Sequence, residues 1–155
     1  MKVQGAFTFR GPRALVWDLL QDPAVLAKAM PGTKRLERTA PDRFEGVMKV
    51  SLGPVTAAEF ALAVTLRDQL APERFAMDID SKGALGFTRG TARVVLEEAE
   101  NGETTMRYES ELQIGGKIAA VGQRILDSAA RMMTQKGLDA LERELDARLA
   151  GGGAG

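Results

Sequence analysis

Met106-Arg107-Tyr108-Glu109-Ser110-Glu111-Leu112-Gln113-Ile114-Gly115-Gly116-Lys117-Ile118 is the stretch in which this chain changes its period. Up to Ile114 the residues alternate, with Met106, Tyr108, Ser110, Leu112 and Ile114 opposite Thr105, Arg107, Glu109, Glu111 and Gln113. Beyond the glycine pair the apolar positions Ile118, Val121, Ile125, Ala129, Met132 and Met133 recur at three- and four-residue steps, and Leu138, Leu141, Leu145 and Leu149 continue the stripe. Strict alternation is the pattern of a half-buried strand, and a three-four step is that of an amphipathic helix. A helix from the glycine pair to about Leu149 would be roughly 50 Å long. Gly122 and Gly137 inside it cost about 1 kcal/mol each relative to Ala, which predicts close packing or a bend at those points. Glu142, Arg143, Asp146 and Arg148, at salt-bridging intervals, read as a solvated outer face.

Working back toward the N-terminus, the alternation recurs. Val3, Gly5, Phe7 and Phe9 share one face of Lys2 to Arg10. Phe44, Gly46, Met48 and Val50 share a face between Arg43 and Ser51, and Ala58, Phe60, Leu62, Val64 and Leu66 one between Val55 and Arg67. Phe75, Met77 and Ile79 form the next inward set, Ala92, Val94 and Leu96 the one after, and a weaker strand covers Thr33 to Thr39. Pro31-Gly32, Pro41-Asp42, Gly53-Pro54, Ala71-Pro72 and Asn101-Gly102 separate these segments, and such short connections join antiparallel neighbours. Two short helices interrupt the series. One begins at Pro12 and ends at Leu20; the other is capped by Asp22-Pro23 and runs to about Ala29. A long amphipathic helix must bury its stripe, and the apolar face of the sheet is the surface that can receive it. The expected fold is α+β, a helix-grip fold with a seven-stranded curved antiparallel sheet wrapped on a long C-terminal helix, and two short helices after strand 1. Residues 1–149 are expected to form one domain, with 150–155 a flexible Gly-rich tail.

Composition narrows the function. Lys+Arg and Asp+Glu each number 21 in 155 residues, so there is no excess of positive charge of the kind that marks a nucleic-acid partner. No apolar run is long enough to span a bilayer, and the Met1-Lys2-Val3-Gln4 start is unlike a signal peptide, which predicts a cytoplasmic protein. The chain has neither His nor Cys, which removes the commonest general base, the soft metal ligands and the thiol nucleophile. Acidic residues are scattered without calcium-loop spacing, and no phosphate-cradling glycine motif occurs, so no metal or cofactor is expected.

Several segments together resemble the START-like (SRPBCC, Bet v 1-like) superfamily and, within it, the CoxG family of carbon monoxide dehydrogenase subunits. They are Gly5-Ala6-Phe7, Val16-Trp17-Asp18-Leu19-Leu20 with Asp22-Pro23, Met30-Pro31-Gly32, and Lys49 to Val55 (Lys-Val-Ser-Leu-Gly-Pro-Val). Gly83 to Ala92, Gly115-Gly116-Lys117-Ile118 and Val121-Gly122-Gln123-Arg124 complete the set. The resemblance covers about residues 1 to 149. It implies a cavity for a hydrophobic ligand between sheet and helix, such as a quinone or lipid. For some members it also implies an accessory role that associates a molybdenum-containing carbon monoxide dehydrogenase with the membrane or its quinone pool. A peripheral contact with the inner face of the membrane is the alternative placement that follows. Two departures are visible: a Gly-rich end stands where members of this kind carry an apolar C-terminal extension, and Lys136-Gly137 replaces an aromatic pair, which implies a wider cavity end.

The residues expected to contact the ligand are Met48, Phe60, Leu62, Met77, Phe87, Tyr108, Ser110, Val121, Ile125 and Met132. The methionines among them, with Met106 and Met133, suit an irregular apolar molecule, or equally an ordinary core. Tyr108 and Ser110 place hydroxyls on an apolar face, where they hold either a ligand oxygen or a partner within the protein. Trp17 reads as core. The glycines of Gly83 to Gly90 mark either a mobile gate or β-bulges, with Arg89 flanking the opening. Beside a non-catalytic carrier, two alternatives stand. One is a cyclase- or hydrolase-type enzyme relying on Tyr108; the other is a protein-docking module with a filled core.

Overall fold

The structure, a computed structural model, describes residues 1–152. Seven strands form one antiparallel sheet in the order β1-β7-β6-β5-β4-β3-β2. They are β1 (Lys2–Phe9), β2 (Thr33–Ala40), β3 (Arg43–Leu52), β4 (Val55–Leu70), β5 (Arg74–Gly83), β6 (Gly86–Glu98) and β7 (Thr104–Gly115). The helices are α1 (Arg13–Leu20), α2 (Pro23–Ala29) and α3 (Gln123–Gly152), the last preceded by a 3₁₀ turn at Lys117–Val121. Strands β2 to β7 are a meander, each beside its sequence neighbour, whereas β1 and β2 occupy opposite edges. The α1–α2 segment therefore carries the chain from one edge to the other. Helix-grip architecture is what results, as the change of period at Gly115-Gly116 predicts.

The core follows the alternation. Phe9, Phe44, Leu66, Val94, Leu96 and Met106 on the sheet and Val16, Leu19, Leu138, Leu141 and Leu145 on the helices are all buried in one cluster. Trp17 belongs to it, meeting Phe75 edge-on at 5.4 Å between ring centroids. Asp22 caps α2 as expected, its Oδ1 accepting from the Ala24 N–H at 2.9 Å, with Pro23 in the first turn where its missing N–H costs nothing.

The long helix differs from its expected form at both ends. Gly122 lies outside it, at φ 98°, a conformation L side chains rarely adopt, and α3 begins one residue later. The helix then runs for 30 residues, about 45 Å, past Leu149 to Gly152. Residues 153–155 of the expected tail lie outside the described residues. Gly137, by contrast, is within the helix and packed against α2, and a Cβ there would stand 2.6 Å from the Ala29 carbonyl oxygen. It opens no cavity end; it lets α2 press onto α3. Gly137→Val is expected to cost about 1–3 kcal/mol by overpacking this crossing, read as a lower midpoint in urea unfolding. The polar face of the distal helix also differs from expectation. Glu144 pairs with Lys28, and Arg148 donates to Asp22 Oδ2 at 2.7 Å, so these charges tie α3 to α2.

The glycine-rich hairpin carries no β-bulge. Pairing of β5 with β6 and of β6 with β7 runs unbroken from Gly83↔Gly86 to the far ends. Register shifts fall instead in β2–β3, β3–β4 and β4–β5. At Gly90 a Cβ would stand 2.0 Å from the Glu111 carbonyl oxygen, so the bare backbone there permits the close approach that bends the sheet around α3.

Candidate functional site

The register turns the sheet's concave face into rows. Leu62, Ser81, Thr88 and Ile114 lie side by side across β4, β5, β6 and β7. The next row is Val64, Ile79, Gly90 and Leu112; the one after is Leu66, Met77, Ala92, Ser110 and Val3. Toward the β4–β5 end these rows are filled by Leu138, Leu141 and Leu145 of α3 and by α1. Toward the β3–β4 end they are not. There a cavity of about 350 Å³ separates sheet from helix.

The floor of the cavity is Met48, Val50, Leu52, Phe60, Leu62, Ile79, Ser81, Thr88, Ser110, Leu112 and Ile114. Its roof is Leu126, Ala129, Ala130, Met133 and Thr134 of α3, and Ala29, Met30 and Pro31 close one side. Met1, Val3 and Ile118 complete the lining. No residue of this lining carries a charged side chain, and its polar side chains are four hydroxyls, on Ser81, Thr88, Ser110 and Thr134. A second, more polar cleft at the sheet edge includes Arg89, Glu111, Gln113 and Gln123, and it adjoins the cavity through Met1, Leu112, Ile114 and Leu126.

Of the ten residues expected to contact a ligand, Met48, Phe60, Leu62 and Ser110 line the cavity. The other six lie elsewhere. Met77 sits on an inward row but packs against the filled core beside Leu66 and Ala92. Tyr108 is half-buried on the inward face, its ring drawn across Gly5 of the neighbouring strand; a Cβ at Gly5 would stand 2.5 Å from the Tyr108 hydroxyl oxygen. Phe87 is on the convex face, since the inward phase of β6 is Thr88, Gly90, Ala92, Val94 and Leu96. There it covers Gly115, and the Arg89 guanidinium stacks over its ring at 5.0 Å. Val121 belongs to the 3₁₀ turn, and Ile125 faces the β3–β4 turn, where a Cβ at Gly53 would stand 2.9 Å from its Cδ1. Met132 is 48% exposed on the outer side of α3. Of the expected stripe, Ile118, Ala129 and Met133 do line the cavity, and Leu126, Ala130 and Thr134 join them there in place of Val121, Ile125 and Met132.

Ser81, Thr88 and Thr134 complete the polar lining without having been expected. Ser81 is one further step along the Phe75, Met77, Ile79 series, and Thr88 two steps back along the Ala92, Val94, Leu96 series; the alternation carried past the apolar residues identifies both. Ser110 donates to the Val3 carbonyl at 3.3 Å, so its hydroxyl is engaged within the sheet. The groups with displaced titration lie at the surface. Lys49 holds the Lys34 ammonium below the ordinary lysine range, by a hydrogen bond between the two amines and by repulsion. Asp78 raises the Arg67 guanidinium by hydrogen bonding and attraction. Among the described residues no cluster of acidic side chains is placed to hold a metal ion, and no helix is long and apolar enough to cross a membrane.

Solved structures share this architecture. A conserved protein from Geobacillus kaustophilus is 23% identical, with 96% of this chain and 97% of that one covered and a TM-score of 0.89. A START superfamily protein from Mycobacterium smegmatis is 10% identical over 94% and 97% of the two chains (TM-score 0.70). The ZhuI aromatase/cyclase from Streptomyces sp. R1128 is 14% identical over 96% and 95% (TM-score 0.70). At these identities the likeness is one of fold. No curated protein matches the chain. The model of the carbon monoxide dehydrogenase CoxG family matches residues 5–146, most of the sequence, and the chain belongs to that family.

Proposed function

We propose that this protein is a non-catalytic binder of a hydrophobic small molecule, a quinone or lipid, and serves a molybdenum-containing carbon monoxide dehydrogenase-type enzyme as an accessory. The observation that carries the reading is the 350 Å³ cavity, within the range of small-molecule sites, lined by aliphatic, Met, Phe and hydroxyl side chains with no charged side chain among them. Membership of the family supports the dehydrogenase partner. An enzyme of the cyclase or hydrolase kind would need a cavity acid or base, and Tyr108, the residue expected to provide it, spends its ring on Gly5.

Charge supports a peripheral contact with the inner face of the membrane. The segments around the cavity end of the sheet carry Lys34, Lys49, Lys82, Lys117 and Arg124 against Glu59 and Asp127. The β6–β7 connection at the other end carries Glu97, Glu98, Glu100 and Glu103. An anionic bilayer would attract the first end and repel the second. Half-buried Leu52, Val55 and Leu85 stand among those cations.

Organic extraction of the natively purified protein, followed by mass spectrometry, tests the reading. One apolar molecule per chain is expected. Delipidated protein is expected to remove a quinone from vesicles that contain anionic lipid, recovered with the protein after the vesicles are sedimented. A protein that carries nothing and takes up neither quinone nor fatty acyl lipid overturns the proposal.

A further inference from the structure

The chemistry of the ligand's polar end is written in the middle of the cavity floor. Ser81 is 6% exposed as a residue and stands in the cavity lining, on the apolar floor. Ser110, on the same floor, is satisfied by Val3. Thr88 stands directly across the β5–β6 pair from Ser81, a distance at which cross-strand side chains interact. Leu62 and Ile114 flank the two in the same row. A hydroxyl that faces an otherwise apolar cavity is a donor for whatever acceptor the cavity holds.

We propose that Ser81, with Thr88 beside it, forms a polar subsite that donates a hydrogen bond to an uncharged oxygen of the ligand, a carbonyl of the quinone, ketone or ester type, and so selects neutral lipophiles over carboxylates. This rests on the ligand-binding reading above and adds the class of head group. A carboxylate in the same place would be buried against hydroxyls, because the lining has no Lys, Arg or His, and its one cation, the Met1 ammonium, lies two strands beyond Thr88 and donates to the Leu112 carbonyl. Arg89, on the neighbouring strand, is directed away from the floor, over Phe87 on the convex face. A carbonyl loses far less on leaving water, and one or two hydroxyl donors replace what it loses.

Delipidated full-length protein is titrated calorimetrically with decylubiquinone, with decylbenzene, which has the tail without the carbonyls, and with decanoate at pH 8. Wild type is expected to bind decylubiquinone at least tenfold more tightly than decanoate. Ser81→Ala is expected to weaken decylubiquinone about fivefold to tenfold, the loss of one neutral hydrogen bond, while decylbenzene changes less than twofold. Ser81→Thr, which keeps the hydroxyl on a strand-compatible side chain, restores the affinity, and Met132→Ala, exposed on the outer side of α3 and outside the lining, leaves it within twofold. A thermal melt of each variant confirms a folded protein. An equal loss for decylubiquinone and decylbenzene in Ser81→Ala, or wild-type affinity for decanoate matching that for decylubiquinone, overturns the subsite. Failure of wild type to bind any of the three overturns the carrier reading beneath it.

Discussion

Leu145→Ala is expected to lower the unfolding free energy by roughly 3–5 kcal/mol and the melting temperature by about 10 °C. Leu145 is 0% exposed in the last third of α3, inside the main cluster. Its methyls fit over Gly11, where a Cβ would come within 2.9 Å of Cδ1. The Gly11 carbonyl in turn accepts from the buried Thr104 hydroxyl at 2.8 Å. The strap between β1 and α1 is therefore fixed to β7 on one side and to the helix on the other. Neighbours held in this way cannot collapse into the space left by three missing carbons, which places the cost in the upper part of the range for such truncations. Leu149→Ala, one turn further on and 38% exposed, is the comparison, with an expected change under about 1 kcal/mol. Equal effects at the two positions, measured by urea unfolding monitored at Trp17, would show that the helix end is not gripped.

The fold was readable because its two periods are so cleanly separated. Nearly every strand of the sheet keeps a strict inward–outward alternation, and turn residues sit where the meander reverses. The site was only partly readable, for two physical reasons. The first is phase. A stripe continued through Gly122 points Val121, Ile125 and Met132 at the sheet, but a glycine at positive φ separates the 3₁₀ turn from α3 and restarts the helix on a different face. The glycine is one signal of that rotation; the other is the buried set Leu138, Leu141 and Leu145, which leads back in four-residue steps to Thr134 and Ala130. The second is the distinction between core and cavity. Met77 and Leu62 occupy equivalent inward positions on adjacent strands, yet one meets the filled half of the grip and the other the open half. Which half is filled depends on where α1, α2 and the distal leucines of α3 lie, and that is a property of the whole chain. Phe87 is a different case: the phase of its own strand already places it outside, and its aromatic character is spent covering Gly115.

Ala130→Trp is expected to abolish ligand uptake, by more than tenfold in affinity, while the melting temperature stays level or rises by a few degrees. Ala130 faces the cavity from α3, one turn beyond Leu126 and one before Met133 and Thr134. A large side chain here extends into empty space over an apolar floor, so it gains burial without displacing packed neighbours, the situation in which filling a cavity stabilises. Ligand and indole would then compete for the same 350 Å³. Met132→Trp provides the opposite case: its side chain is 48% exposed and outside the lining, so uptake should be unchanged. The pair separates two helical phases with one assay, because the phase that the unbroken stripe implies would make position 132 the blocking one. Retention of full uptake by a folded Ala130→Trp would move the ligand out of the grip, to the polar cleft beside Arg89 and Gln123, and would remove the observation on which the proposed function stands.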